Sequence, residues 1–572
     1  MNVKLAVGLL LAAVAAQGEV DWARLNIAAR EHAKTPIRAG VPGVRPFWNA
    51  HAKAFIHPPA FEFQEVDGAT AYHFVLMTAE PGRAGSPRPA DNGRAGRPRP
   101  ADTARPEAAP YHSWTAAKPW LPIPADIWDS LPPGYYTLKV DGSGERTFYR
   151  AAVFRGPYPA GACGYSEAAQ KVYAAVYNMP QVQGWKTSDD PPKGYDLYCY
   201  PAKILSSMIR ALVRYSTGGS RSCATADAQE RVPPEADEAL RIARKMADWL
   251  IAHSQPAEAP LAHFPPTYWG DRRDVAVKNA GQNMLLYPAH AALAYLDLAE
   301  AGRAGRPRPA ENGRAGRPRP ADTARPEAAP YQKYRDAALN IARTYAKLQG
   351  ADGTWPLKVR EKDGSPVRAN RLVPGRNILG LFDRSEQAAE TAAPHVFAQT
   401  RDRAFAYVLD GPVKTWNWDG QFEDMDPMPP YRNLQKGCAV DTALRLFAQG
   451  RIAEGRELVD WCEDQFVVWS DPIHNMDWRN WKTPTALEQY DYYTPIDASM
   501  GDMIGAFAAA YKATGNALYL EKAKALADNI TRNQRPDGTI PTYFDSRKGS
   551  DWVNCMVYVA DRLEALADVM EE

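Results

Sequence analysis

Two segments 185 residues apart follow one local plan. Tyr334–Pro356 ends on Gln349, Asp352-Gly353-Thr354 and Pro356; Tyr519–Pro541 ends on Gln534, Asp537-Gly538-Thr539 and Pro541. Ala338 and Ala342 in the first match Ala523 and Ala527 in the second. Asp-Gly is a turn former, so each segment reads as a helix, a turn and a short extended return. A helical unit with one apolar face must bury that face on a neighbour, so such recurrence implies stacked hairpins. The 3.6-residue period begins near residue 163. It predicts helices over 166–177, 196–216, 236–254, 280–300, 332–349, 398–410, 434–449, 451–468, 498–513, 517–532 and 552–569, with 377–393 as the twelfth. In 236–254, Leu240, Ala243, Met246, Ala247 and Leu250 form one apolar stripe. Twelve helices in hairpins close as an (α/α)6 toroid over 163–572.

Residues 20–157 have a different period. The runs 60–66, 71–77, 134–140 and 146–154 alternate or are rich in aromatic and β-branched residues, and Asp67-Gly68 and Asp141-Gly142 supply turns. About a hundred residues of this kind suit a small β-sandwich. Into it, at 83–111, and into the helical part, at 303–331, is set nearly the same Arg- and Pro-rich sequence. Each copy holds six of the chain's 49 Pro and has almost nothing to bury, so both are expected to be disordered surface insertions. They carry net charges of +3 and +4; the whole chain carries +1, so the rest is mildly acidic at −6. Nucleic acid is thereby disfavoured as a partner.

Leu5–Ala16 is small and apolar, and Ala13-Val14-Ala15 fits a signal-peptidase site. Residues 1–17 are read as a secretory signal, which places the mature protein in the periplasm or outside the cell. No other stretch is long enough to span a membrane. The six cysteines form no CxxC pair. An even count in an exported protein permits disulfides, yet Cys199, Cys438, Cys462 and Cys555 sit in apolar helical stretches, where a thiol acts as a small hydrophobe. There is no P-loop, dinucleotide fingerprint, nucleophile elbow or HExxH. No cofactor and no metal is expected, and the chain is read as a monomer.

Candidate chemistry clusters in loops that precede helices. Thr415–Asn433 holds Asp419, Glu423, Asp424 and Asp426 among Trp416, Trp418 and Tyr431, with Arg432 beside them. Leu487–Asp497 holds Glu488, Tyr490, Asp491, Tyr492 and Asp497. Tyr268 and Trp269 lie in Pro266–Asp274, and Asp551 and Asn554 flank Trp552. Six of the 16 Trp, Trp478 and Trp481 among them, fall within 416–481. A pyranose offers an apolar C–H face to such rings and a polar rim to carboxylates, amides and Arg. Glycoside hydrolysis uses two carboxyls that flank the bond. Glu423, Asp424, Glu488 and Asp491 are the catalytic candidates; Trp416, Trp418, Tyr268, Trp269, Tyr490, Tyr492, Trp478, Trp481 and Arg432 are the binding candidates. Asp497 and Asp551 fit equally as N-caps of the helices that follow. The aromatics of Leu197–Lys203 are expected either at the mouth or in the core.

Helices that end in Q-x-x-D-G-T-x-P, with aromatic and acidic loops and an N-terminal β-module, resemble the six-hairpin glycosidase superfamily. The N-terminal part itself resembles the fibronectin-III or Ig-like modules of secreted carbohydrate enzymes. The resemblance covers residues 163–572 and is architectural. It implies a secreted enzyme that acts on an oligo- or polysaccharide, most simply a glycoside hydrolase. A uronate-directed lyase or epimerase is the second expectation, and a glycan-binding surface protein without catalysis is the third.

Overall fold

The computed structural model describes residues 20–44, 47, 51–79, 111–218, 233–303, 329–389, 394–418, 434–470, 480–489, 494–546 and 551–572. Both Pro/Arg insertions and the signal segment lie largely or wholly outside these residues.

The N-terminal region opens on a helix, α1 (Trp22–His32), capped by the Asp21 side chain, which accepts from Arg24 N–H. Its strands are β1 (Ala54–Phe55), β2 (Tyr72–Thr78), β3 (His112–Ala116), β4 (Gly134–Val140) and β5 (Gly144–Arg150), with α2 (Ala125–Ser130) between β3 and β4. They form one sheet in the order β1-β5-β4-β2-β3, antiparallel except for β1 with β5. Among the described residues there is thus a single five-stranded sheet where two packed sheets were expected. The run 60–66 alternates like a strand but is not a strand of the sheet. Phe61 instead lies across the sheet face against Phe55 and Phe148, both at centroid distances of 5.6 Å, and Trp128 from α2 packs on Phe148. That aromatic layer covers the buried side chains of β2, β4 and β5, so no second sheet is needed.

Twelve long helices follow among the described residues: α3 (Tyr165–Asn178), α4 (Pro201–Ser216), α5 (Ala236–Ala252), α6 (Tyr287–Arg303), α7 (Ala329–Leu348), α8 (Arg376–Ala388), α9 (Pro394–Asp410), α10 (Gly437–Ala448), α11 (Ile452–Phe466), α12 (Asp497–Thr514), α13 (Ala517–Asn533) and α14 (Val553–Glu571). The expected twelfth helix, 377–393, is α8. The even-numbered helices pack side by side in sequence, and α14 packs back on α4, so they close a ring of six. The odd-numbered helices lie outside, each against its inner neighbours. This is an (α/α)6 toroid.

The repeated motif turns out to be a staple of this ring. Gln349, just after α7, donates to Gly353 O and Thr400 O, both at 2.8 Å. Gln534, just after α13, donates to Gly538 O and Ala168 O, both at 2.9 Å. Thr400 is on α9 and Ala168 on α3, so each amide ties one outer helix to the next, and the second tie joins the last outer helix to the first. Gly353 and Gly538 both sit at φ 87°, and a Cβ there would meet Arg403 O at 2.5 Å or Lys171 O at 2.4 Å. Only glycine fits both demands.

Connections into the inner helices, at 179–200, 253–286, 349–375, 411–436, 467–496 and 534–552, are long. Those leaving the inner helices at 389–393, 449–451 and 515–516 are short. All inner helices therefore start at one end of the ring, and the elaborated loops gather there. The second Pro/Arg insertion joins α6 to α7 at the opposite end. The first lies between β2 and β3, in the sheet domain.

The sheet domain docks on the outer helix α11. Asp464 Oδ1 accepts from both Ile56 N–H and His57 N–H at 2.7 Å. His32 Nε2 stands 3.1 Å from Asp460 Oδ1, and the Arg38 guanidinium lies 4.3 Å over the Trp416 ring.

Candidate active site

At the loop-rich end, Asp497 is the first residue of α12 and is fully buried. It is not the helix cap. Ile496 holds that position, and Asp497 Oδ1 accepts from the adjacent Ala498 N–H, at 2.7 Å. Asp497 Oδ2 has no hydrogen-bond partner among the described residues. Burial, together with the negative charges of Asp551 and Glu488, pushes this carboxyl well above the usual carboxylate range. The protonated form of Asp497 is therefore favoured, and the carboxyl has one oxygen to offer.

Two pieces of backbone hold it there. The strand β7 (Thr485–Ala486) pairs with β6 (Val467–Val468), and the chain then returns on itself through a Leu487↔Pro495 bridge. Glu488 N–H donates to Thr494 O at 2.9 Å, so Glu488 and Asp497 sit on the two arms of one hairpin. From the other side, Asp497 N–H donates to Thr542 O at 2.9 Å. Thr542 N–H in turn reaches Asp551 Oδ1 at 3.3 Å. Asp551 is not a cap either: Trp552 precedes α14, and the Asp551 carboxylate is held by the Arg535 guanidinium.

Lys436, which immediately precedes α10, is buried next to this pair. Its Nζ donates to Leu487 O and to Ser499 Oγ, each at 2.6 Å, and lies 3.9 Å from Asp502. Below the mouth a polar belt crosses the ring. Tyr558 OH donates to Asp502 at 2.6 Å, Arg562 donates to Tyr558 OH at 2.8 Å, and Asp441 accepts from Arg376 N–H at 2.7 Å. Deeper still, Arg210 binds Asp297 at 3.1 Å and Asp561 at 2.7 Å, and Arg384 binds Asp297 at 2.5 Å. These pairs join α4, α6, α8 and α14 across the axis.

The opposite side of the mouth is cationic and aromatic. Lys203 near the start of α4 points its ammonium at Trp552 (4.8 Å), Tyr200 and Tyr287 (both 5.5 Å). Arg273 lies 5.8 Å over Tyr200, and Lys358 lies 5.5 Å over Tyr268. The aromatics of 197–203 thus belong to the mouth as well as to packing.

The residues expected from sequence divide sharply. Glu423, Asp424, Arg432, Trp478, Tyr490, Asp491 and Tyr492 lie outside the described residues. Glu488 is at the site. Tyr268 is buried at the mouth, and Trp269 is 44% exposed on its rim, edge-on to Trp249 at 5.2 Å and to His253 at 5.1 Å. Trp416 and Trp418 are not a sugar platform. Both are fully buried against Trp461, at 5.9 and 6.2 Å, in the packing between α11 and the sheet domain. Trp481 is also buried, at 5% exposure. A Trp offers more area to a core than almost any other side chain, and a docking interface consumes it. Asp497 as a protonated acid and Lys436 were missed. The available signal was Lys436 itself, a cation placed where a helix N-terminus repels one.

The five described cysteines, Cys163, Cys199, Cys438, Cys462 and Cys555, form no disulfide with one another, and Cys199, Cys462 and Cys555 are buried. No described helix is long and apolar enough to cross a membrane.

No protein-family model and no curated protein matches the chain. Among solved structures it is similar to a D-mannose isomerase, with 12% identity over 71% of this chain and 97% of that one, at a TM-score of 0.44. It is similar to a family 76 glycoside hydrolase from a bovine Bacteroides thetaiotaomicron strain, with 8% identity over 88% and 93% and a TM-score of 0.42. It is also similar to the cellobiose 2-epimerase of Spirochaeta thermophila, with 13% identity over 71% and 98% and a TM-score of 0.42.

Proposed function

We propose that the protein is an exported carbohydrate-active enzyme, a glycoside hydrolase in which Asp497 is the proton donor and Glu488 the second carboxylate. The observation that carries this reading is the Asp497 carboxyl at the loop-rich mouth of the toroid, fully buried, with a raised pKa and an Oδ2 that has no hydrogen-bond partner among the described residues. General acid catalysis of a glycosidic bond needs a carboxyl that is still protonated at working pH and can reach the leaving oxygen. Glu488 supplies the second group, as base or nucleophile. Trp269 and Tyr268 offer flat apolar area to sugar units at the rim. Reducing-sugar release from a panel of neutral and acidic polysaccharides tests the reading. Asp497→Asn and Glu488→Gln should each abolish release that the wild type supports, and the anomer first formed, read by NMR, reports retention or inversion.

A second reading rests on Lys203, Arg273 and Lys358, which place positive charge on the tyrosine side of the mouth. Such a side suits a uronate carboxylate or a sulfate. If the chemistry is elimination from a uronate, the product is unsaturated and absorbs in the near ultraviolet, whereas hydrolysis gives no such absorbance.

A further inference from the structure

Lys436 joins the two arms that carry the proposed catalytic carboxyls. One bond of its ammonium goes to Leu487 O, the carbonyl that precedes Glu488; the other goes to Ser499 Oγ, two residues beyond Asp497 on α12. It is 1% exposed and packs 5.2 Å from the Phe466 ring of α11. A buried ammonium is expensive to desolvate, and a helix N-terminus adds to that cost. Burial accordingly pulls the Lys436 pKa down, while the negative charges of Asp502 and Glu488 oppose the shift. A Met would fill the same volume without that cost, so the charge is retained for something other than packing.

We infer that Lys436 is a positioning residue that sets the spacing of Glu488 and Asp497 and supplies the positive charge that Glu488 faces. This inference rests on the catalytic reading above. The local charges make it specific. Asp497 faces two carboxylates, Asp551 and Glu488, and is driven to the protonated form. Glu488 faces Lys436 on the α10 side and Asp497 on the α12 side. By this inference the ammonium favours the charged form of Glu488 while Asp497 is driven toward its protonated form, which gives the two carboxyls of the hairpin different roles. Without it the two groups would compete for one proton, and the hairpin would lose its only lysine brace among the described residues.

The test uses the full-length protein and needs no ligand for its first arm. Difference infrared spectra at pH 7, wild type minus Asp497→Asn, should contain one protonated-carboxyl C=O stretch. Lys436→Met should add a second such band, and Glu488→Gln in the Lys436→Met background should remove it. In the second arm, kcat on the active polysaccharide should fall about 10²-fold in Lys436→Met with KM little changed, since a misplaced pair loses rate and not binding. Lys436→Met should also move the acidic limb of the pH profile to higher pH, and Ser499→Ala, which removes one of the two bonds and leaves the charge, should move it the same way by a smaller amount; Ser499→Ala serves if Lys436→Met does not fold. If the wild-type spectrum shows no Asp497 band, the catalytic reading fails and this inference with it. If that band is present but the Lys436→Met and Ser499→Ala spectra and pH profiles match wild type, only the role of Lys436 is overturned.

Discussion

Asp551 gives its carboxylate to Arg535, while Asp497, which it crowds, keeps one oxygen without a partner among the described residues. The first is held by a cation; the second is left to satisfy itself with a proton. This asymmetry has a stability signature. The folded pKa of Asp497 lies above its unfolded value of about 4. Its contribution is then fully present below about pH 4 and is lost as pH rises toward the folded pKa, at about 1.4 kcal/mol per unit. Asp497→Asn should therefore unfold at a higher temperature than wild type at pH 7–8 and show a smaller gain at pH 4. Thermal melts across that range check it, and equal Tm differences at both ends would refute it.

The docking of the sheet domain should depend on pH through two groups of opposite sign. Burial pulls His57 down to about 4, with His32 also disfavouring its proton and Asp460 and Glu463 opposing. Stability is lost as pH falls from about 6.5 toward 4. Burial pushes Asp464 up to about 7, against the N–H bonds from His57 and Ile56. Its stability contribution is lost as pH rises from about 4 to 7. His57→Asn should flatten the acid limb of a Tm–pH curve, and Asp464→Asn the neutral one. Asp464→Ala should destabilise more than Asp464→Asn, because it leaves two buried N–H groups unpaired, at about 1–3 kcal/mol each.

The staple between outer helices predicts a stability loss far from any chemistry. Gly538→Ala forces a Cβ onto Lys171 O at a left-handed φ and should lower stability by about 1–3 kcal/mol or more. Gln534→Ala removes two hydrogen bonds, to Ala168 O and Gly538 O, at about 0.5–1.5 kcal/mol each. Denaturant unfolding measures both. Wild-type midpoints for both variants would mean the motif does not hold the ring closed.

Trp416 and Trp269 should separate under mutation. Trp416→Ala empties a core position and should cost about 3–5 kcal/mol. Trp269→Ala, on an exposed rim, should leave Tm unchanged and weaken polysaccharide retention in affinity electrophoresis. The reverse pattern would restore Trp416 to the site.

These outcomes bear on what sequence alone reveals here. The helices were legible because each buries one stripe on a neighbour, and the period survives in Ala243, Met246 and Leu250 as plainly as in the fold. The Gln–Asp-Gly-Thr turns were legible as repeats, but not as ties to Ala168 and Thr400, since those partners are distant in sequence. Residues 60–66 alternate like a strand, and only the fold reveals that Phe61 covers the sheet without joining it. Trp416 and Trp418 stand beside acidic residues as sugar-binding rings do; that Arg38 and Trp461 claim them is a long-range fact. Asp497 before an apolar helix reads as a cap, and only burial distinguishes a cap from a held proton.

The second Pro/Arg insertion should be dispensable for turnover. It joins α6 to α7 at the end of the ring away from Asp497. Replacing residues 304–328 with a short Gly/Ser linker should leave kcat/KM within about twofold of wild type, since loops far from the site tolerate such change. A large loss would place part of the site at that end.

The most direct measurement is turnover of the wild type and Asp497→Asn on the polysaccharide that the wild type cleaves, with Tm recorded for both. If Asp497 is the proton donor, kcat falls by about 10²–10⁴-fold, the usual worth of a positioned general acid, in a variant at least as stable as wild type. An Asp497→Asn protein that turns over at the wild-type rate would contradict it.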